Sequence, residues 1–229
     1  DSMVLAKLSP EEVLGWYGGG KRLIEALNFI PAIFSTALYP VLSRLWKEEK
    51  ESHKLTMQRS LELMFVIGIA ICVGCIAFAP AIIHMFYGLS GYEPSIPILQ
   101  ILSVCLVLLY IDMVLGTTLV ASDKQKQLLL VSLCAIGLNT VLNYGLVSYF
   151  QAHTGNGGIG SAIATTATEL CIMVAALNLM PKGVLNGFRF EVVWKSLGAG
   201  LLMAVSAAVA QLLSVTWIVG GPLSGAVFV

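Results

Sequence analysis

The chain contains a series of apolar stretches, each about 20 to 30 residues long, separated by short polar connections. An α-helix rises about 1.5 Å per residue, so each stretch can cross a hydrocarbon core of about 30 Å. In hydrocarbon every backbone polar group needs an internal partner, and a helix provides one within each stretch. The pattern predicts an all-α, polytopic transmembrane helix bundle, with residues 1–229 forming a single domain.

About six full spans are predicted, with partial helices at both ends of the chain. Residues 1–6 have the pattern of the last turns of a helix, and residues 214–229 have that of the beginning of a seventh span or of the completion of a hairpin. We therefore expect the chain to be a fragment of a larger membrane protein. The predicted full spans are residues 15–45, 55–87, 95–121, 127–150, 159–180 and 191–213.

The composition agrees with this fold class and excludes several functions. Hydrophobic residues make up 57% of the chain and charged residues 11%, whereas soluble domains carry about 25% charged residues. No basic patch with interleaved aromatic residues is present, so nucleic-acid binding is not expected. The three histidines are scattered and have no nucleophile beside them, and no motif for a cofactor or a metal ion stands out. We expect a membrane protein without enzymatic activity and without a cofactor.

Basic residues alternate between the predicted loops. Three of the 13 Lys and Arg residues lie on one side of the predicted membrane or within the first span, and the other ten flank the ends of the first, third and fifth spans. The positive-inside rule places the side with ten basic residues in the cytoplasm, which predicts a multi-pass protein of the cytoplasmic membrane. The ten are Arg44, Lys47, Lys50, Lys54, Arg59, Lys124, Lys126, Lys182, Arg189 and Lys195.

The first span carries the most informative polar residues. A stripe of mostly polar side chains follows one side of a helix drawn over this span, and ionisable residues at membrane depth indicate function. We expect Lys21 and Arg22 to face a substrate in a central cavity. The alternative is structural, with Lys21 paired to Glu25 or Arg22 paired to Asp112. The stripe consists of Tyr17, Lys21, Glu25, Asn28, Ala32, Ser35 and Tyr39.

Two isolated carboxyl groups lie in later spans. Asp112 stands alone in a long apolar run, and Glu169 follows a series of threonines. Both are candidates for coupling transport to an ion. Asn139 and Asn143 lie one helical turn apart and are predicted to form hydrogen bonds between helices.

The order of short motifs along the chain resembles the second half of polysaccharide-export flippases. These are the Wzx-type O-antigen and lipid II flippases of the multidrug/oligosaccharidyl-lipid/polysaccharide superfamily. The motifs are Gly15-Trp-Tyr-Gly-Gly-Gly-Lys-Arg-Leu, Leu38-Tyr-Pro-Val-Leu-Ser, Met85-Phe-Tyr-Gly and Gly158-Ile-Gly-Ser-Ala-Ile-Ala-Thr, with a helix-borne Asp1 before them and Glu169 after them.

This resemblance implies a two-lobed transporter of which the chain is the C-terminal lobe. Its partners would be the lipid bilayer, an N-terminal lobe and a polyprenyl-diphosphate-linked oligosaccharide, which is flipped by alternating access. Lys21 and Arg22 would be this lobe's share of the substrate site, and Asp1, Glu25 and Asn28 are further candidates for substrate binding.

Two other functions remain open from the sequence. A multidrug/cation antiporter of the same superfamily would be expected to have a cavity dominated by carboxylates, whereas the outer half of the first span is cationic. A membrane-embedded glycosyltransferase or polymerase would carry a large hydrophilic loop, and the sequence contains no long polar stretch of this kind.

Overall fold

The computed structural model describes residues 1–88 and 91–180, together with residues 191, 194–195, 198–200 and 202. Within these residues the chain forms an all-α bundle, and five segments are long and apolar enough to cross a membrane. The predicted fold class is therefore confirmed. The helices are α1 (Ser2–Leu8), α2 (Glu11–Leu27), α3 (Phe29–Glu48), α4 (Lys50–Tyr87), α5 (Ser95–Ala121), α6 (Gln125–Thr154) and α7 (Gly157–Leu179).

Four predicted spans correspond to single helices. The span 95–121 coincides with α5, and the spans 127–150 and 159–180 agree with α6 and α7 to within a few residues. The span 55–87 ends where α4 ends. The predicted sixth span, 191–213, and the segment 214–229 lie mostly outside the described residues.

The first predicted span, residues 15–45, lies within one segment able to cross a membrane, Glu11–Glu48, which consists of α2 and α3. A turn at Asn28 separates the two helices, and backbone hydrogen bonds from Asn28 to Ile24 and from Ala32 to Asn28 continue across it. Pro31 lies in the first turn of α3 and has no backbone N–H for the carbonyl of Leu27 four residues earlier.

The charged segment 44–59, expected to be a connection between spans, is helical except at Glu49. Glu49 has an extended backbone, with φ −153° and ψ 99°. Lys, Arg and Glu are good helix formers, and pairs at i,i+4 or i,i+3 add support. Arg44 and Glu48 form such a pair, as do Arg59 and Glu62. The end of α3 and the start of α4 thus both lie inside this charged segment.

Helix α5 is the centre of the bundle. It packs against α2, α3, α4 and α7, and 56% of its most apolar segment is buried, against 17% to 22% in the other four spans. Residues on all sides of α5 are buried, which explains why it shows no polar face. Groups carried by α5 can therefore contact most of the other helices.

Helices α6 and α7 approach each other closely because small residues line their interface. A side chain at Gly160 would overlap the backbone of Leu146 and Val147. Close backbone approach at small residues is a common way to pack membrane helices. The glycine-rich segment 155–160 thus forms a turn into close helix packing.

Hydrogen bonds link the same two helices. Ser161 Oγ donates to Asn143 Oδ1 at 2.8 Å, and Asn139 Nδ2 donates to Thr168 Oγ1 at 3.2 Å. Asn143 is fully buried and also donates to Asn139 Oδ1 at 3.0 Å. The prediction that Asn139 and Asn143 join helices is confirmed.

Side-chain contacts define the two ends of the bundle. At one end His53 Nε2 lies 3.4 Å from Ser122 Oγ, and Lys124 Nζ donates to the carbonyl of Leu179. At the other end Trp16 Nε1 donates to the carbonyl of Gly91 at 2.7 Å. The basic residues between 44 and 59 and those of 124–126 therefore share one end of the bundle, as the charge alternation requires.

Candidate functional site

A first polar cluster joins α2 to the residue that precedes α1. Lys21 Nζ lies 3.8 Å from both Asp1 Oδ2 and Glu25 Oε1. The ammonium also lies 5.7 Å from the centre of the Tyr17 ring, within range of a cation–π contact. The structure thus brings together three predicted site residues: Asp1, Lys21 and Glu25. The pairing of Lys21 with Glu25 matches the structural alternative derived from the sequence.

Tyr17 belongs to this cluster, although the sequence suggested only that it lies on the polar stripe. Its side chain is buried, and its hydroxyl donates to Asp1 Oδ2 at 3.3 Å. Ser161 and Thr165 of α7 lie beside the same hydroxyl. The start of the polar stripe therefore points into the bundle, whereas Glu25 and Tyr39 are exposed.

Arg22 and Asn28 lie outside the cluster. Arg22 is exposed and forms no ion pair with any residue that the structure describes. The alternative pairing of Arg22 with Asp112 is not observed. Asn28 is at the helix break, and its side-chain carbonyl oxygen is buried without a hydrogen-bond partner in the described segments. No observation tests a substrate contact for either residue, so those roles stay predictions.

A second cluster consists of two carboxyl groups on different helices. Asp112 of α5 and Glu169 of α7 lie close enough to interact with each other. Both carboxyl oxygens of Asp112 are shielded from solvent, and the Glu169 carboxyl group lies within reach of them. Neither carboxyl group forms an ion pair within the described part of the chain. The two candidates for ion coupling are thus brought together.

The carboxyl pair lies deep in the bundle. Asp112 is nine residues before the end of α5, and Glu169 is ten residues before the end of α7. At 1.5 Å per residue each lies about 15 Å from the basic end of its helix, which is half the thickness of a hydrocarbon core. An uncompensated charge at such a depth costs several kcal/mol.

No conventional metal centre accompanies these clusters. Among the described residues, no group of three or more His, Cys, Asp and Glu side chains could hold a metal ion. An apolar groove of about 430 Å³ lies between α6 and α7, and its lining includes Leu130, Leu138, Cys171 and Ile172. The groove contains no ionisable carboxyl or amine, so the polar clusters are the better candidates for a functional site.

The comparisons with known proteins agree with a transporter. The family model described as MatE matches residues 1–145. Proteins described as "Probable multidrug resistance protein NorM" are similar to this chain in three Bacillus strains. The chain is 23% identical to the protein from Bacillus cereus ATCC 10987 over 186 residues, 79% of this chain and 40% of that protein. It is 26% identical to the protein from B. cereus ATCC 14579 over 186 residues, with the same shares.

The protein from Bacillus subtilis 168 is 21% identical over 183 residues, 80% of this chain and 40% of that protein. The chain therefore spans about two fifths of the length of the curated relatives it matches. No solved structure matches.

These matches show whether the resemblance to flippases extends to the family or only to the superfamily. The relatives carry a multidrug description and none is described as a polysaccharide flippase. The superfamily is therefore confirmed, whereas the narrower assignment to Wzx-type or lipid II flippases is not supported. The matched segment extends from Asp1 through α5 and most of α6, and so includes the Lys21 cluster and Asp112. With five membrane-spanning segments and a family match over more than half of its length, this multi-pass membrane chain belongs to the MatE family of transporters.

Proposed function

We propose that the full-length protein exports small organic molecules across the cytoplasmic membrane in exchange for a proton or a monovalent cation. The observation that carries this proposal is the pair formed by Asp112 and Glu169. These are two carboxyl groups at mid-membrane depth, without a basic partner among the described residues.

The pair is suited to holding one exchangeable positive charge. Two ionised carboxylates side by side repel each other, and a low dielectric strengthens the repulsion. A proton or a small cation shared between the groups removes the repulsion and lowers the cost of burial. Loading and unloading of that charge changes the electrostatic energy of the interface between α5 and α7. A driving ion could in this way bias a two-lobed protein between inward and outward states.

The comparisons support an organic cargo. The curated relatives are described as multidrug resistance proteins, and we extend this description to the present protein as part of the proposal. In the cluster of Asp1, Lys21 and Glu25, two carboxylates surround one ammonium group. This part of the first span is therefore less cationic than the sequence suggested, because the charge of Lys21 is balanced by carboxylates.

Transport in proteoliposomes tests the proposal. The full-length protein should move a fluorescent organic cation when a proton gradient or a sodium gradient is imposed, and the two gradients applied separately identify the driving ion. Asp112→Asn and Glu169→Gln should each reduce gradient-driven transport at least tenfold, because a neutral amide cannot exchange a charge. Both variants should keep near-normal abundance in the membrane.

Asp123→Asn is the matched control for this experiment. Asp123 is an exposed loop residue with φ 60°, a backbone conformation that Asn also adopts readily. This variant should transport at the rate of the unmodified protein. Full gradient-driven transport by Asp112→Asn would contradict the coupling role of the pair.

Arg22 favours a second candidate function, the flipping of a polyprenyl-diphosphate-linked oligosaccharide. It is an exposed cation without an ion pair in the described part of the chain, and a guanidinium binds phosphate oxygens through paired hydrogen bonds. A diphosphate substrate would give this charge a partner.

Deletion of the gene separates the two candidates. Loss of export leaves organic cations inside the cell and leaves surface glycan unchanged. Loss of flipping traps a lipid-linked oligosaccharide on the cytoplasmic leaflet and depletes surface glycan. For the second candidate, Arg22→Ala should abolish flipping and Arg22→Lys should retain part of it, because the charge survives without the paired hydrogen bonds.

A further inference from the structure

Side chains of α5 satisfy two backbone carbonyls that prolines leave free. A proline has no N–H for the carbonyl four residues earlier, so Pro31 frees the carbonyl of Leu27 and Pro80 frees that of Ile76. Tyr110 Oη donates to Leu27 O at 2.9 Å. Gln100 Nε2 donates to Ile76 O at 3.3 Å. In a membrane such carbonyls need a partner, and α5 supplies both.

The two proline sites differ in what the helix does around them. Helix α4 continues without interruption through Pro80. Near Pro31, in contrast, the chain breaks at Asn28, whose side-chain oxygen is buried without a partner among the described residues. The contact of Tyr110 therefore lies at the boundary between two helices, whereas the contact of Gln100 supports a helix that is continuous.

A second contact ties the other side of the break to the same part of α5. Ser35 Oγ donates to Met113 O in a long hydrogen bond of 3.4 Å. Tyr110 contacts the last residue of α2, and Met113 contacts α3. Asp112 lies between these two positions of α5. The carboxyl pair and the supports of the helix break are thus within one turn of the same helix.

We propose that Tyr110 is a positioning residue for transport, which transmits a movement of α5 at Asp112 to α2. The inference rests on the proposed coupling role of Asp112 and Glu169. A change in the charge held by the pair shifts α5, and the hydrogen bond from Tyr110 to Leu27 carries the shift to α2, which bears Lys21 and Arg22. The buried ring of Tyr110 makes this contact stiff.

Two substitutions, Tyr110→Phe and Pro31→Ala, test whether the Tyr110 hydroxyl positions α2 during transport or only stabilises the fold. Tyr110→Phe should lower the melting temperature of the full-length protein and slow transport about tenfold, with the dissociation constant of the dye within twofold of normal. Pro31→Ala restores an N–H that can bond to Leu27 O within the helix. In the Tyr110→Phe/Pro31→Ala double variant the melting temperature should recover and transport should stay slow. Recovery of transport would show a structural role only and overturn the proposal.

Gln100→Leu is the matched control, because it removes the other donor to a proline-freed carbonyl. It should lower the melting temperature and leave the transport rate per molecule within twofold of normal. A tenfold loss of transport in this variant would overturn the proposal, since any loss of a carbonyl partner would then have the same effect.

A distance measurement distinguishes failure of this inference from failure of the proposed function. Spin labels at Glu12 of α2 and Ser148 of α6, both exposed, are introduced into a cysteine-free full-length protein. Asp112→Asn, which mimics the neutral carboxyl group, should shift the distance distribution between the labels. The shift should disappear in the Tyr110→Phe background.

The outcomes separate the two claims. A shift that persists without the Tyr110 hydroxyl overturns the role of Tyr110, as does the absence of any shift. In both cases a transport defect of Asp112→Asn leaves the proposed function standing. If Asp112→Asn transports normally, the proposed function fails, and the inference that rests on it fails as well.

Discussion

Two adjacent basic residues on α2 have different surroundings. Lys21 lies between two carboxylates, and its side chain is 34% exposed. Arg22 is exposed and has no ion pair among the residues described. A rotation of 100° along the helix separates the two side chains, so adjacency in the sequence does not give them the same partners. We therefore expect Lys21 to stabilise the folded protein, and Arg22 to contribute only to substrate binding.

Neutralisation of each residue tests this difference. Lys21→Gln should lower the free energy of unfolding by about 1 kcal/mol, because the partly buried carboxylate of Asp1 loses its ion pair. Arg22→Gln should leave it unchanged. Thermal unfolding of the purified full-length protein in detergent measures both.

A double-mutant cycle supplies the control. Once Asp1→Asn has removed the partner, Lys21→Gln should have little further effect. An equal loss of stability from Lys21→Gln and Arg22→Gln would contradict the difference that the ion pairs indicate.

Helices in this bundle meet in two ways. Helix α5 uses long side chains such as Tyr110 and Gln100 to bond backbone groups of its neighbours. Helices α6 and α7 use glycine and short polar side chains, so that their backbones come close. The second kind of contact tolerates almost no added volume, because a new side chain would meet backbone rather than a side chain that can turn away.

Two glycine substitutions should have opposite effects. Gly160→Ala should destabilise the bundle by about 1–3 kcal/mol, because the new methyl group overlaps the backbone around Leu146. Gly145→Ala, on α6 with open space around it, should be neutral or stabilise by up to about 1 kcal/mol through helix propensity. Unfolding curves in a single detergent compare them. Similar stability of the two variants would show that the close contact at Gly160 is absent in the membrane.

In the part of the chain that the structure describes, basic residues are unevenly distributed between the two ends of the bundle. One end carries the basic residues of 44–59 and 124–126, and contacts of His53 with Ser122 and of Lys124 with Leu179 hold that end together. The opposite end contains Trp16 and the 91–94 turn, which has no basic residue. The positive-inside rule then predicts which end faces the cytoplasm.

Thiol labelling in intact cells tests the orientation. A single cysteine at Lys50, in a cysteine-free full-length protein, should resist a membrane-impermeant reagent. A single cysteine at Glu93 should react. Both positions are exposed in the structure, and both should react after the cells are opened, which controls for accessibility. Labelling of position 50 but not of position 93 in intact cells would reverse the topology.

The sequence by itself determined the fold class, five of the spans and the candidate charges. Helical spans in a membrane follow from local composition alone, because hydrocarbon requires each segment to satisfy its own backbone. The local geometry at the span boundaries depended on contacts that composition does not show. The connection between the first two spans is confined to Glu49, with ion-paired helix on both sides of it, and the first span has a turn at Asn28, beside a Leu27 carbonyl that accepts a hydrogen bond from α5.

Tertiary structure alone decided which charges meet. Asp112 and Glu169 are 57 residues apart and come together because α5 packs against α7. Tyr110 showed no signal beyond a polar hydroxyl two residues before Asp112 in an apolar run. The positions of the prolines predict that certain backbone carbonyls need a hydrogen-bond donor. They do not predict which side chain provides it. Side-chain partners across helices depend on rotation and packing angle, which the spacing of residues along one helix does not contain.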